Sequence, residues 1–173
     1  KARAVLVYDK DGKFVMEYVK PTHQLFGETA PYVPQKVVLD KRGNLYIVSK
    51  GNTNGIVQIS PVGGGEFLGY YGANASRISL LTHMRRIIFG ENSSAVGEIV
   101  PISVKNLTID QKGMVYTVTE AADDSSLRRL NVAGKSTMPP EWWIELNSAV
   151  AVNSSNSIFT ANANGTIMEF TSE

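Results

Sequence analysis

No cysteine occurs among the 173 residues. That excludes disulfides and thiol chemistry and leaves the redox compartment open. Histidine is nearly as scarce. His23 and His83 are the two present, too few for a metal site built on several histidines. Neither sign of charge is in excess: 17 Lys and Arg face 16 Asp and Glu, a net charge of +1. Bulk electrostatics therefore point neither to nucleic acid nor to an anionic membrane surface. No apolar run approaches the ~18–20 residues of a membrane-spanning helix. No G-x-S-x-G, H-E-x-x-H or phosphate-binding loop is present. No signal peptide is visible and the first residue is Lys1, which reads as a processed or truncated product.

What is there is a pattern of short strands. Hydrophobic residues make up 43% of the chain and charged ones 19%, a globular composition. Between Val37 and Gly72 the sequence is VVLDKRGNLYIVSKGNTNGIVQISPVGGGEFLGYYG. Its β-branched and apolar runs are separated by polar, glycine-bearing turns at Asp40–Asn44, Lys50–Gly55 and Pro61–Gly65. The spacing predicts four short antiparallel strands that cannot bury their faces alone. The pattern returns at Leu107–Thr119 with Ser126–Gly134, and again at Ala149–Thr160 with Gly165–Phe170. A back half of it stands at Ala4–Tyr18.

In its apolar-Asp-x-x-Gly-Asn-apolar-Tyr-apolar core, Val37 to Gly72 resembles the NHL repeat, and the resemblance covers most of the chain. A narrower likeness is to bacterial NHL-repeat proteins of unknown function encoded near sugar-transport systems. The resemblance implies an all-β fold: a β-propeller of four-stranded antiparallel blades. About three blades of a six-bladed ring would be present. The expected organisation is one propeller domain or fragment over 1–173. The end of a blade spans 1–20, blades span 34–72, 102–144 and 146–173, and a helical insertion spans 73–101. The insertion follows from spacing. Asp40, Asp110 and Asn153 head matching turns, and the first interval is longer than the second by roughly 27 residues. Leu80, Met84, Ile87 and Ile88 fall on one face of a helix over about 75–89.

Fold does not decide function. The leading expectation is a non-enzymatic binding module for a protein, peptide or carbohydrate, held on the face built from inter-blade loops. The ligand-binding candidates are His23 and Tyr32 in the proline-rich loop before the first full blade, Arg77, Arg85 and Arg86 on the insertion, and Trp142. An insertion simply packed over the propeller, with its arginines in water, is the plainer reading. The alternative, from another class, is a metal-dependent hydrolase or lyase of lactonase-like type, its site completed by blades outside this chain. No catalytic residue and no metal ligand is assigned. Asp9-Lys10-Asp11-Gly12 has the look of a calcium loop, but the further oxygen ligands and distal Glu are missing. A plain hairpin turn is expected, and no cofactor. Asp123 and Asp124 read as a solvated turn. With about three blades present, a homodimer completing the ring is a further expectation. The family resemblance implies an extracellular or cell-surface location.

Overall fold

A computed structural model describes residues 3–72, 103–119, 126–138 and 147–171. The expected helical insertion, with Arg77, Arg85 and Arg86, and also Trp142 and the Asp123–Asp124 pair, lie outside the described residues.

Among the described residues, twelve strands form four antiparallel sheets, each a sequential meander. The first is a pair, β1 (Val5–Tyr8) and β2 (Phe14–Tyr18). The second has four strands: β3 (Pro34–Leu39), β4 (Leu45–Ser49), β5 (Ile56–Ser60) and β6 (Glu66–Tyr71). The third is β7 (Val104–Ile109), β8 (Val115–Thr119) and β9 (Leu127–Leu130). The fourth is β10 (Ala149–Val152), β11 (Ile158–Ala161) and β12 (Ile167–Phe170). The described residues are thus nearly all-β, with two 3₁₀ turns as their helical content.

The turns explain why the chain reverses where it does. At Asp9, Asp40, Asp110, Asn131, Asn153 and Asn162 one side-chain oxygen accepts from the backbone N–H groups two and four residues on, at 2.8–3.1 Å. In each, the residue three positions on donates its N–H back to the turn's first carbonyl. That residue has positive φ: a glycine in five turns and Asn156, at φ 64°, in the sixth. An Asx side chain and a left-handed residue at this spacing are what such a reversal needs. The hairpin turn expected at Asp9–Gly12 is of this kind, with Asp9 Oδ1 accepting from the Asp11 and Lys13 N–H groups.

Asp40 makes the turn acid-sensitive. Partial burial acts to raise its pKa. The Asn44 side-chain amide, the Asn44 and Arg42 N–H groups and the Arg42 charge outweigh this and hold it below 3.8. A carboxylate held below its unfolded value contributes stability that is present above that value and lost as pH falls through the folded one. Asp40→Asn keeps the turn, as Asn does at 131, 153 and 162. It is expected to cost about 0.5 kcal/mol at neutral pH and nothing in acid strong enough to protonate Asp40 in the fold. Thermal melts of both proteins at the two pH values check this, and an undiminished difference in acid would overturn it.

The sheets stack face to face, and burial shows it. β4 and β8 are buried at every position, as strands covered on both faces must be. Successive residues point to opposite faces. On β4, Leu45 and Ile47 join one apolar cluster, with Val57, Ile59 and Phe67, against which Val5, Val7 and Met16 of the first sheet pack. Tyr46 and Val48 join another, with Leu107, Val115 and Leu130 of the third sheet. The third sheet then meets the fourth through Tyr116, Val118, Leu127, Val150 and Ile158. The core is therefore three layers between four sheets, with β3, β7 and β10 adjacent along one side of the stack. This is the radial packing of propeller blades.

Candidate functional site

The chain from β2 to β3 crosses between sheets, and its side chains build a loop surface with many contacts to the second sheet. Gln24–Phe26 forms a 3₁₀ turn capped by His23, whose Nδ1 accepts from the Leu25 N–H at 3.1 Å. Phe26 points inward and is 1% exposed. Its ring meets Phe67 edge-on at 5.3 Å, stacks near Tyr70 at 5.6 Å and meets Tyr32 edge-on at 6.1 Å. The Lys20 ammonium lies over the same ring at 5.6 Å and donates to the Glu28 carbonyl at 2.6 Å.

Polar groups from the second sheet fasten the backbone of this loop. Ser49 Oγ, at the end of β4, donates to the Pro31 carbonyl and accepts from the Val33 N–H, at 2.9 and 2.8 Å. Lys50 N–H donates to the Val33 carbonyl at 2.9 Å. The Asn52 amide, in the β4–β5 loop, donates to Pro31 carbonyl at 3.2 Å. Tyr70 Oη, on β6, donates to the Phe26 carbonyl at 2.7 Å. A loop crossing a sheet end has no ladder partners, so its carbonyls need side-chain donors of this kind.

Two of the six sequence-derived ligand candidates fall in this region, and the structure separates them. His23 is exposed, with its ring against Phe67 at 5.8 Å. Tyr32 is 4% exposed and its hydroxyl donates to the Tyr18 carbonyl at 3.0 Å. Burial pushes the Tyr32 phenol up to about 12, so it stays a neutral donor that holds the loop onto β2. Exposed Leu25 stands beside His23. Ser49, Asn52 and Tyr70, which fasten the loop, were not singled out by sequence reasoning. A serine or asparagine in a turn and a tyrosine in a strand carry no mark of partners far away in sequence. Arg77, Arg85, Arg86 and Trp142 are not among the described residues.

A second feature is an open cleft of about 420 Å³ between β6 and the turn after β9. Leu68, Tyr70, Tyr71, Val132 and Lys135 line it. Its polar groups are largely engaged: the Gln58 amide donates to Tyr46 Oη at 3.0 Å, and Tyr71 Oη donates to the Asn131 carbonyl at 2.5 Å. Among the described residues no group of three or more His, Asp or Glu is placed to hold a metal ion.

No protein-family model matches the sequence, and no curated protein matches it. Solved structures do match. A streptogramin B lyase structure is 12% identical with a TM-score of 0.50, over 99% of this chain and 48% of that one. A catalytically inactive virginiamycin B lyase from Staphylococcus aureus, with quinupristin, is 14% identical with a TM-score of 0.51, over 99% of this chain and 49% of that one. The chain spans about half the length of the lyases it matches. At such identities the likeness is one of fold, not of activity. The chain is similar to β-propeller proteins, and its stacked meanders are blades of that fold.

Proposed function

We propose that this chain is an NHL-type propeller segment acting as a non-enzymatic binding module. Its ligand, a protein, peptide or carbohydrate, sits on the surface formed by residues 19–33 and the β4–β5 loop. The observation that carries this reading is the contrast within that loop. Phe26, Tyr32 and four fastening groups of the second sheet fix its backbone, while His23 and Leu25 stay presented to solvent. A loop held rigid with an aromatic and an aliphatic side chain outward meets a ligand at low entropic cost. The NHL assignment is supported by the Asx turns at Asp9, Asp40 and Asp110, each with glycine three residues on. An extracellular or cell-surface setting belongs to the same reading.

The test is a screen of glycan and peptide arrays with the protein, repeated with His23→Ala and Leu25→Ser. Both positions are exposed, so the fold should survive. A ligand found with the parent protein should bind the variants at least about tenfold more weakly. Unchanged binding by both would place the site elsewhere.

The hydrolase or lyase alternative draws on the lyases that share the fold. On that reading zinc or calcium would raise the thermal midpoint, because a ligand that binds only the folded state stabilises it. Its metal ligands would have to come from outside the described residues.

A further inference from the structure

Asn-Gly occurs twice in the sequence, at Asn54-Gly55 and at Asn164-Gly165. The dipeptide carries its own chemistry. Glycine lacks a Cβ, so its backbone nitrogen is open to the side-chain amide of the asparagine before it, and its backbone turns freely enough to allow the approach. Both asparagines are exposed. They also occupy matching loops, Asn54 between β4 and β5 and Asn164 between β11 and β12. Local sequence therefore offers the same reaction at both, and the fold decides between them.

The β11–β12 turn holds its dipeptide at three points. The Asn164 and Thr166 N–H groups donate to Asn162 Oδ1 at 3.0 and 2.9 Å. The Gly165 N–H, on the nitrogen that would attack, donates to the Asn162 carbonyl at 3.3 Å, with Gly165 at φ +82°. In the β4–β5 loop only the asparagine of the dipeptide is held: the Asn54 N–H donates to Asn52 Oδ1 at 3.0 Å. Among the described residues the Gly55 N–H has no acceptor and the Asn54 side chain no partner. Gly55 lies at φ +134°, one residue before β5 begins. An N–H engaged in a hydrogen bond has to leave it before its nitrogen can act as a nucleophile. The turn thus protects Asn164, and the loop leaves Asn54 open.

We infer that Asn54 is a site of spontaneous covalent modification, at which the folded chain converts a side-chain amide to a carboxylate. The Gly55 nitrogen gives up its proton to solvent base and attacks Asn54 Cγ. The N–Cγ bond forms, the Cγ–Nδ2 bond breaks, and Nδ2 takes up a proton and leaves as ammonia. The product is a cyclic imide, which water opens at either carbonyl. Opening at Cγ leaves an aspartate. Opening at the main-chain carbonyl leaves an isoaspartate, with the backbone routed through Cγ. Overall water is consumed and ammonia released, and nothing is oxidised or reduced. The change places a negative charge two residues from Asn52, whose amide fastens the Pro31 carbonyl. It falls on the surface proposed to hold the ligand, but the conversion does not rest on that reading.

The test incubates the whole chain at mildly alkaline pH and follows both dipeptides by peptide mapping with mass spectrometry, which reads the exchange of an amino group for a hydroxyl. An isoaspartate-specific methyltransferase scores the rearranged product. A parallel sample in urea reports the same dipeptides with the fold removed. In the folded protein Asn54 is expected to convert at least about fivefold faster than Asn164, the factor that one backbone hydrogen bond represents. In urea the two should convert at similar rates. Asn54→Gln, at an exposed position, should abolish conversion in its peptide and leave Asn164 as it was. Equal rates in the folded protein, or a faster Asn164, overturn the inference. So does an Asn54 that stays intact while the urea sample converts. A ratio that persists in urea overturns it too, because neighbouring sequence and not the fold would then set it.

Discussion

Phe26→Ala is expected to destabilise the protein by about 3–5 kcal/mol, the usual cost of removing a buried phenyl ring. Phe26 lies in a loop, where most substitutions are mild. Here the ring is the hub of a four-aromatic cluster with Tyr32, Phe67 and Tyr70. Its loss leaves a cavity between the loop and β6 that rigid neighbours cannot close. The same change should release residues 19–33 selectively. Tyr70 Oη and Ser49 Oγ would then fasten a backbone no longer held in position, and amides of the loop should exchange faster than those of β4. Urea unfolding measures the first effect and hydrogen exchange the second. Leu25→Ala, one residue away and 76% exposed, is the control and should be close to neutral. Equal effects at 25 and 26 would mean that the ring does not anchor the loop. Weaker ligand binding by the Phe26 variant with an intact His23 would tie the anchor to the proposed function.

The second large effect is expected at Gly134. This residue has φ +74°, and a Cβ built there would stand 2.8 Å from the Gly72 backbone nitrogen and 3.3 Å from its Cα. The turn it closes is also where the second and third sheets lock. Tyr71 Oη donates to the Asn131 carbonyl, and burial, with the neighbouring Tyr46, pushes its pKa upward, so it remains a donor through the physiological range. Gly134→Ala must therefore bear a left-handed conformation and separate two backbones. Its expected cost is about 2–4 kcal/mol, the sum of a left-handed penalty and an overpacking term. Gly113 isolates the first contribution. It occupies the same turn position at φ +82°, with open space around its Cβ direction, so Gly113→Ala should cost only about 1 kcal/mol. Denaturant midpoints of the two variants, read side by side, give the difference. Equal destabilisation would mean that the Gly72 contact yields freely.

The fold was legible because its rules are local. Asp40, Asp110 and Asn153 head turns whose hydrogen bonds close within four residues, and glycine or Asn156 supplies the one left-handed residue each turn needs. The strands between them are short runs of β-branched and aromatic residues. Such features are written contiguously, so repeat and blade could be read off before any packing was known. LYIVS and VYTVT also lack the alternation in polarity of a half-solvated strand, in keeping with the burial of β4 and β8 at every position.

The site was legible only in outline. The loop before the first full blade could be named as a surface, with His23 on it, because prolines and polar residues between strand runs mark an inter-blade crossing. Whether Tyr32 faced a ligand or the core could not be read, because its partner is the Tyr18 carbonyl on a different strand, and only tertiary packing brings the two within hydrogen-bond distance. Ser49, Asn52 and Tyr70 were invisible for the same reason. Val37 and Leu107 read alike in the sequence, as apolar residues at one position of one repeat. Their difference, one half in water and one sealed, depends on what stands opposite each. Local chemistry determined the turns, the strands and the blade; contacts between sheets alone decided which of the described apolar faces are covered and which are exposed.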